Sequence, residues 1–321
     1  MSTSTTTAGP AIVAGPAPAR RRSASWRKRV EIALFAGPAL VVYIAFVLLP
    51  VVLAAVYSFF KWNGYGPLTE FIGIDNYVRA LGDPVFVGAV GHNLFIVVAS
   101  LVVQGPLAIG IALLLNRRLK GRGLLRVLIF VPYVLSEVIV GLAWRLLLQP
   151  QGGFDSLMAA VGLGDLRQLW LADTTIVMFT LFGIVTWKYL GFAVILFLAG
   201  LQGIPDELAE AAQIDGASWW QTQRLITIPL LGPTIRIWAF LSIIGSLQLF
   251  DLVWIVTGGG PANATTTMAT YMVQFGFQRS QLGFGSAVAV ILFLISLAFA
   301  LVYQRIVLRR DLQGALTRRV G

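Results

Sequence analysis

The sequence predicts an all-α integral membrane protein with six transmembrane helices and with both termini in the cytoplasm. Three observations lead to this fold class: the composition, the number of long apolar segments and the distribution of basic residues. Of the 321 residues, 57% are hydrophobic and only 12% are charged, whereas about one quarter of a typical soluble domain is charged. A chain with so few charged residues is typical of proteins that lie within a lipid bilayer.

Six segments are long and apolar enough to cross a bilayer, which takes about 20 predominantly apolar residues. These segments are residues 32–60, 91–115, 124–148, 174–200, 234–257 and 283–304. Pro38 and Pro50 lie in the first segment, which we therefore expect to be kinked. Proline is tolerated in a membrane helix because neighbouring groups satisfy the carbonyls that it leaves unpaired.

Lysine and arginine concentrate on alternate loops, as expected for short cytoplasmic loops of membrane proteins. The basic set comprises the amino-terminal tail, the loop after the second segment, the loop after the fourth segment and the carboxy-terminal tail. The opposite loops carry only Lys61, Arg79, Arg167 and Arg279. This asymmetry predicts that both termini and residues 201–233 face the cytoplasm.

The same signals predict the division of the chain into parts. The first residues combine serine, threonine, alanine and proline with a basic end, a composition that cannot form a packed core. The predicted parts are a disordered basic cytoplasmic tail at 1–30, a first transmembrane helix at 31–60, an external loop at 61–90, a five-helix core at 91–305 that contains the cytoplasmic loop 201–233, and a basic cytoplasmic tail at 306–321.

The residue inventory excludes several classes of function. The chain has no cysteine and one histidine, His92, so disulfides, thiolate metal sites and multi-histidine metal sites are excluded. We predict no catalytic residue and no metal site. The sequence contains no GxxxxGK[ST] phosphate-binding loop, so this chain is not itself an ATPase. Its net charge of +10 follows the membrane topology, and we expect no nucleic-acid partner.

Polar side chains within the apolar segments predict a path for a solute. Glu137 and Lys188 lie near the middle of their segments, where a charge costs about 2.5–3.5 kcal/mol on insertion scales and therefore faces a bundle interior or water. The two could pair and merely lock two helices together, or they could form a polar wall. Hydroxylated neutral ligands suit amide groups beside aromatic rings. The predicted substrate-path residues are Asn93, Gln104, Glu137, Trp187, Lys188, Tyr189, Gln248, Asp251 and Trp254.

The loop 201–233 has the pattern of a helix, a turn and a second helix. Pro205 and the acidic residues that follow it favour a helix start, and Gly216 permits a left-handed turn. Ser218 is a possible cap for the second helix, which we expect to end at Pro229 and Pro233. An alternative interpretation is an amphipathic segment that lies at the membrane interface and is anchored by its paired tryptophans.

This loop resembles the EAA loop of bacterial type I ABC importer permeases. Glu210-Ala211-Ala212 is followed after two residues by Asp215-Gly216-Ala217 and then by Ile226 and Pro229, a specific spacing. Gln223 and Ile228 depart from the pattern, because many members have phenylalanine and leucine there. Further segments are similar to permeases of the carbohydrate branch, including the maltose-type and glycerol-phosphate-type permeases: 71–77, 83–86, 257–261, 265–267 and 283–287.

The resemblance implies a subunit of a larger machine in the bacterial cytoplasmic membrane. In such permeases the EAA loop is a coupling helix that seats in a cleft of the ATPase. The implied partners are a second homologous permease, two ATPase subunits, an external solute-binding protein, membrane lipid and a sugar substrate. ATP and Mg²⁺ would be bound by the ATPase subunits, and this chain would bind no cofactor. The residues implied to couple to the ATPase are Glu210, Ala211, Ala212, Asp215, Gly216 and Ala217.

Three other functions compete with an ABC sugar permease. An ion-coupled secondary transporter would lose activity when the ion gradient is dissipated. A membrane enzyme is disfavoured, because no cluster of histidine, aspartate or cysteine provides a site. A purely structural scaffold leaves the ordered loop 201–233 without a role.

Overall fold

The structure, a computed structural model, describes residues 22–117 and 120–308, which are predominantly helical. Within these residues the α-helices are α1 (Arg22–Tyr43), α2 (Leu49–Tyr57), α3 (Asp75–Gly82), α4 (Pro84–Ala99), α5 (Gly105–Asn116), α6 (Arg122–Val134), α7 (Glu137–Leu147), α8 (Gly153–Ala160), α9 (Val177–Leu201), α10 (Asp206–Ile214), α11 (Trp219–Thr222), α12 (Ile228–Leu230), α13 (Gly232–Leu247), α14 (Asp251–Val256), α15 (Met268–Tyr271) and α16 (Leu282–Tyr303). Short π-helical turns follow or join several of them, at Ile44–Leu48, Ser100–Gln104, Gln223–Thr227, Met272–Phe277 and Gln304–Leu308.

Four continuous helical stretches of the described residues are long and apolar enough to cross a membrane: Lys28–Tyr57, Pro84–Asn116, Val177–Leu201 and Leu282–Val307. Two further pairs of helices pass the same test but are sharply bent. Helices α6 and α7 meet at 96°, and the stretch from α11 to α12 meets α13 at 65°. By length and composition, the described residues therefore contain four candidate spans, or up to six if each bent pair is one span, and the six transmembrane helices remain a prediction.

The chain divides into two compact units, residues 1–53 and 54–321. In the first unit the described residues, 22–53, form one continuous helical stretch that comprises α1, a π-helical turn and the first residues of α2. Residues 22–30 of this stretch are helical, so the disorder predicted for 1–30 does not extend to them. They contain neither proline nor glycine, so a helix nucleated in the apolar segment can extend into them. Residues 1–21 lie outside the described residues.

Other boundaries also differ from those expected. The second span begins at Pro84, because Asp83 accepts a hydrogen bond from the backbone N–H of Val85 (2.8 Å) and caps α4. The predicted external loop 61–90 thus contains α3 and the first turns of α4. The predicted segment 234–257 is interrupted between Leu247 and Asp251, so that α13 and α14 are separate helices. Of the predicted tail 306–321, residues 306–308 are helical and the rest lie outside the described residues.

Helix α9 is the central element of the second unit, and it packs against α5 and α6. Towards its amino-terminal end, Leu181 and Ile184 pack in a buried cluster with Leu252 of α14. Towards its carboxy-terminal end, Phe197 packs against Trp238 of α13, with the ring centroids 5.5 Å apart. Apolar residues occur on all sides of α9, as expected for a helix that spans a membrane.

Candidate functional site

The loop 201–233 is built from local signals that the sequence contains. Helix α10 has Asp206 and Glu207 in its first turn, where negative charge complements the helix dipole. It ends in a Schellman motif, in which Gly216 has φ +85°. The N–H of Gly216 donates to the carbonyl of Gln213 (3.0 Å), and the N–H of Ala217 donates to the carbonyl of Ala212 (2.9 Å). The predicted turn at Gly216 is therefore present.

The second helix of the loop starts with a capping box. Ser218 Oγ accepts from the N–H of Gln221 (3.4 Å), and Gln221 Oε1 accepts from the N–H of Ser218 (2.7 Å). The sequence predicted that this helix ends at Pro229. The helix continues instead, and that proline lies in the first turn of α12. The chain bends only after Leu230 and then enters α13. Helical structure thus runs from Trp219 to Leu230, and α13 begins two residues later, at Gly232.

The turn between α10 and α11 is largely exposed. Glu210, Ala211, Asp215 and Gly216 are exposed, Ala217 is half-buried and Ala212 is buried. Three apolar side chains of the loop are more than half exposed: Ile214 is 86% exposed, Leu225 69% and Trp220 60%. Beside them, the guanidinium of Arg117 lies 5.1 Å from the ring centroid of Trp219, a cation–π contact. Loop 201–233 therefore presents a mixed apolar and acidic surface.

A cavity of about 270 Å³ lies between the helices of the second unit. The side chains that line it are uncharged. The polar ones come from Ser100, Gln104, Tyr133, Tyr189, Ser242 and Ser246, and the aromatic ones also include Phe192 and Trp238. Tyr133 and Phe192 stack with their ring centroids 5.1 Å apart. Hydroxyl and amide groups beside aromatic faces can hold the hydroxyls and the C–H faces of a neutral polar ligand.

The structure brings Glu137 and Lys188 together but places both beside the cavity, outside its lining. Lys188 Nζ lies 3.7 Å from Glu137 Oε1, and the lysine side chain is only 2% exposed. The hydroxyl of Tyr189 donates to Glu137 Oε1 (2.9 Å), and Tyr189 does line the cavity. The predicted pair thus exists, and one of its partners reaches the cavity wall.

Asn93 is buried between the end of α13 and the start of α15. Its amide nitrogen donates to the carbonyls of Ser246 (2.7 Å) and Leu247 (3.2 Å), and its amide oxygen accepts from the N–H of Met268 (2.9 Å). These contacts satisfy backbone groups where α13 ends and α15 begins. These contacts lie next to the cavity, because Ser246 also lines the cavity.

The other predicted path residues do not line this cavity. Trp187 and Trp254 make aromatic contacts, with Trp144 (5.5 Å) and Phe250 (5.4 Å) respectively, while Gln248 and Asp251 are exposed. Of the nine predicted residues, only Gln104 and Tyr189 line the cavity. Four polar residues of the lining were not predicted from the sequence: Ser100, Tyr133, Ser242 and Ser246. Small hydroxyl residues in an apolar helix are the available signal, but it does not indicate which way they face.

The segment 265–267, which carries part of the resemblance, has a packing role in the structure. Thr265, Thr266 and Thr267 are fully buried. Their hydroxyls bond to the carbonyls of Gly260 (2.9 Å), Gly259 (3.1 Å) and Leu249 (2.8 Å) respectively, each hydroxyl donating. The segment around residues 257–267 is therefore a compact turn held by its own threonines.

Comparison with known proteins identifies the family. Residues 104–311 match the family described as "binding-protein-dependent transport system inner membrane component". The chain belongs to this family. It is 33% identical over 274 residues to the trehalose/maltose transport system permease protein MalF of Thermococcus litoralis, covering 84% of this chain and 90% of that protein. It is 34% identical over 256 residues to the multiple sugar-binding transport system permease protein MsmF of Streptococcus mutans, covering 80% and 88%.

The fold is also that of solved importers. A chain of the bacterial alginate ABC transporter, solved in complex with an alginate pentasaccharide-bound periplasmic protein, matches with a TM-score of 0.77 at 23% identity, covering 89% of this chain and 96% of that one. The resemblance based on the loop 201–233 is thus confirmed at the level of family and fold. This chain is a multi-pass membrane permease of an ABC transporter, a transport component and not an enzyme.

Proposed function

We propose that this permease forms, with a second homologous permease, the path by which a sugar or oligosaccharide crosses the bacterial cytoplasmic membrane. An external solute-binding protein delivers the sugar, and two ATPase subunits bind ATP and Mg²⁺ on the cytoplasmic side. In this proposal the chain crosses the bilayer six times, has both termini in the cytoplasm and binds no cofactor itself. Relatives with sugar-transport names support the carbohydrate class.

The observation that carries the coupling role is the exposed turn of loop 201–233. Glu210, Ala211, Asp215 and Gly216 are uncovered, and the neighbouring Ile214 has the highest exposure of the large apolar side chains in the described residues. Trp220 and Leu225 of the same loop are also more than half exposed, and exposed apolar surface that is rimmed by polar residues is typical of an interaction site. Because helical structure runs from Trp219 to Leu230 and α13 begins at Gly232 after a bend of 65°, motion imposed on the turn would reach a helix that lines the cavity.

The cavity supports a neutral sugar as the solute. Its lining is uncharged and combines serine hydroxyls, the Gln104 amide and aromatic rings. Hydroxyls both donate and accept hydrogen bonds, so such a lining suits a ligand that carries many hydroxyl groups. An ion-coupled transporter would instead favour ionisable groups along the path.

Uptake by the complete transporter tests the proposal. The permease pair, the ATPase and the binding protein are reconstituted in lipid vesicles and offered trehalose, maltose and diacetylchitobiose. We expect uptake of at least one sugar that requires both ATP and the binding protein and that is unchanged by ionophores. Uptake that persists without the ATPase and collapses with an ionophore would contradict the proposal and favour a secondary transporter.

Cysteine crosslinking tests the coupling surface separately. The native chain contains no cysteine, so single substitutions report one position each. We expect Ala211→Cys and Ile214→Cys, whose side chains are exposed, to crosslink to an ATPase subunit with a short bifunctional reagent. Ala212→Cys is the matched control, because Ala212 is buried and should react slowly. Crosslinks from Ala211→Cys and Ile214→Cys to lipid alone would favour an interfacial anchor instead.

A further inference from the structure

Lys188 caps the carboxy-terminal end of α6. Helix α6 stops at Val134, and its last carbonyls lack partners within the helix, as at every helix carboxy terminus. Lys188 Nζ, reaching over from α9, donates to the carbonyls of Pro132 (3.1 Å), Tyr133 (3.0 Å) and Leu135. These three bonds account for all three donors of an ammonium group. The buried lysine therefore acts as the cap that α6 does not supply itself.

Glu137 stands at the other side of the same break. It lies in the first turn of α7, where Ser136 is the N-cap, so its negative charge faces the positive end of that helix dipole. Lys188 faces the negative end of α6. The ion pair between the two residues thus places a positive charge at the carboxy-terminal end of α6 and a negative charge at the amino-terminal end of α7, where the two helices meet at 96°. In a bilayer, unpaired backbone groups at such a break are costly.

The pair is joined to the cavity through two tyrosines. Tyr133, whose carbonyl is held by Lys188, lines the cavity, and so does Tyr189, whose hydroxyl is held by Glu137. Their ring centroids are 6.3 Å apart. Lys188 and Glu137 themselves stay outside the lining. The hydrogen bonds that connect the pair to the cavity wall therefore run through Tyr133 and Tyr189.

We propose that Lys188 and Glu137 are positioning residues that fix Tyr133 and Tyr189 in the wall of the sugar cavity and set the bend between α6 and α7. This inference rests on the proposed function, because it takes the cavity to be the sugar site. Neither charged residue contacts the sugar. A pair that merely locked two helices together would change stability and maximal uptake, but it would leave the affinity of the cavity for sugar unchanged.

The test measures that affinity within the assembled transporter in vesicles. Ser242→Cys places a single thiol of this chain in the cavity lining. The sugars are the panel of the uptake test: trehalose, maltose and diacetylchitobiose. The probe is the panel sugar that is taken up fastest. The readout is the sugar concentration that halves labelling of this chain by a maleimide. Direct protection is needed because the binding protein dominates the sugar dependence of uptake. Lys188→Met, Lys188→Arg, Glu137→Gln and Tyr189→Phe are compared in this background.

We expect Lys188→Met to raise the half-protecting sugar concentration about tenfold, the effect of losing hydrogen bonds to a charged group. Tyr189→Phe should raise it by about threefold, since the cavity wall loses a hydroxyl that Glu137 orients and that can form one neutral hydrogen bond with the sugar. Lys188→Arg should recover part of the loss, because it keeps charge and donors. Lys61→Met is the matched control: Lys61 is exposed and pairs with Glu70 (3.0 Å) outside the cavity, and its replacement should change nothing.

If Lys188→Met and Tyr189→Phe leave the half-protecting sugar concentration unchanged but lower maximal uptake, the positioning role is overturned. The pair would then only hold the two helices together. If Lys188→Met does not assemble, Glu137→Gln and Tyr189→Phe decide, because both keep the lysine cap. Failure of the proposed function would show differently, as parent transporter that takes up no panel sugar with ATP. If the Ser242→Cys transporter without further substitutions takes up sugar, but the sugar does not protect its thiol from the maleimide, the cavity is not the sugar site. That result would also overturn this inference.

Discussion

Replacing Gly216 with valine is expected to reduce ATP-driven uptake to about a tenth or less of the normal rate, while the chain still inserts and assembles. Gly216 has φ +85°, and a β-branched residue there is strained by roughly 1–2 kcal/mol or more. A Cβ at this position meets no atom within 4 Å, so the cost comes from the backbone. Relaxing the strain opens the bond from Ala217 N–H to the carbonyl of Ala212 and turns α10 away from α11. The measurement is uptake and stimulated ATPase activity in vesicles.

Two controls separate the turn from a general effect of strain. Gly66→Val places the same residue at another left-handed position, with φ +71° and open space around the Cβ, but far along the chain from loop 201–233. Gly216→Asn keeps the turn, because asparagine tolerates this conformation. We expect both to transport at near-normal rates. Normal transport by Gly216→Val would argue against the coupling role of the turn.

Replacing Gly191 with alanine is expected to lower the amount of folded transporter and its unfolding temperature. Gly191 lies where α9 crosses α6, and an added Cβ would overlap the carbonyl oxygen of Ile129 and lie 2.9 Å from the Cα of Phe130. Both are backbone atoms, so the two helices must separate. Overpacking of this kind costs about 1–3 kcal/mol. The separation also moves Lys188, one turn earlier on α9, away from the carbonyls that it caps.

Gly183→Ala is the matched control in the same helix. A Cβ at Gly183 meets nothing within 4 Å, and alanine has the higher helix propensity, by about 1 kcal/mol in an exposed helix interior. We expect this variant to be as stable as the parent or slightly more so. Thermal unfolding of the purified complex, followed by size-exclusion chromatography of heated samples, measures both variants. Equal losses in the two variants would show that α9 tolerates no added methyl group, whatever its contact with α6.

The local part of the site could be predicted from the sequence because its signals lie within a few residues. The acidic first turn of α10, the left-handed Gly216 and the Ser218 cap each act on their immediate neighbours, and all three are present in the structure. Pro229 was the exception. Proline is compatible with a first helical turn, and whether a helix ends or continues through it depends on the packing of the residues beyond the proline.

The spans themselves illustrate the same limit. Apolar length predicted the segment 124–148, and the structure has apolar helices there, but it breaks them at Leu135–Ser136 with a bend of 96°. Hydropathy does not record the break, since residues on either side are apolar. The bend is compatible with a membrane because Lys188, more than 50 residues away in sequence, satisfies the exposed carbonyls.

By itself, then, the sequence determined the class, the approximate spans, the family and the form of loop 201–233. Only the tertiary structure decided which polar residues face the cavity. Asn93, Lys188 and Glu137 were grouped with Gln104 and Tyr189 on chemical type, yet only the last two line the cavity and the first three lie outside its lining. The physical reason is that apolar residues surround these helices on all sides, so the sequence does not indicate their rotation, and packing against neighbours sets it.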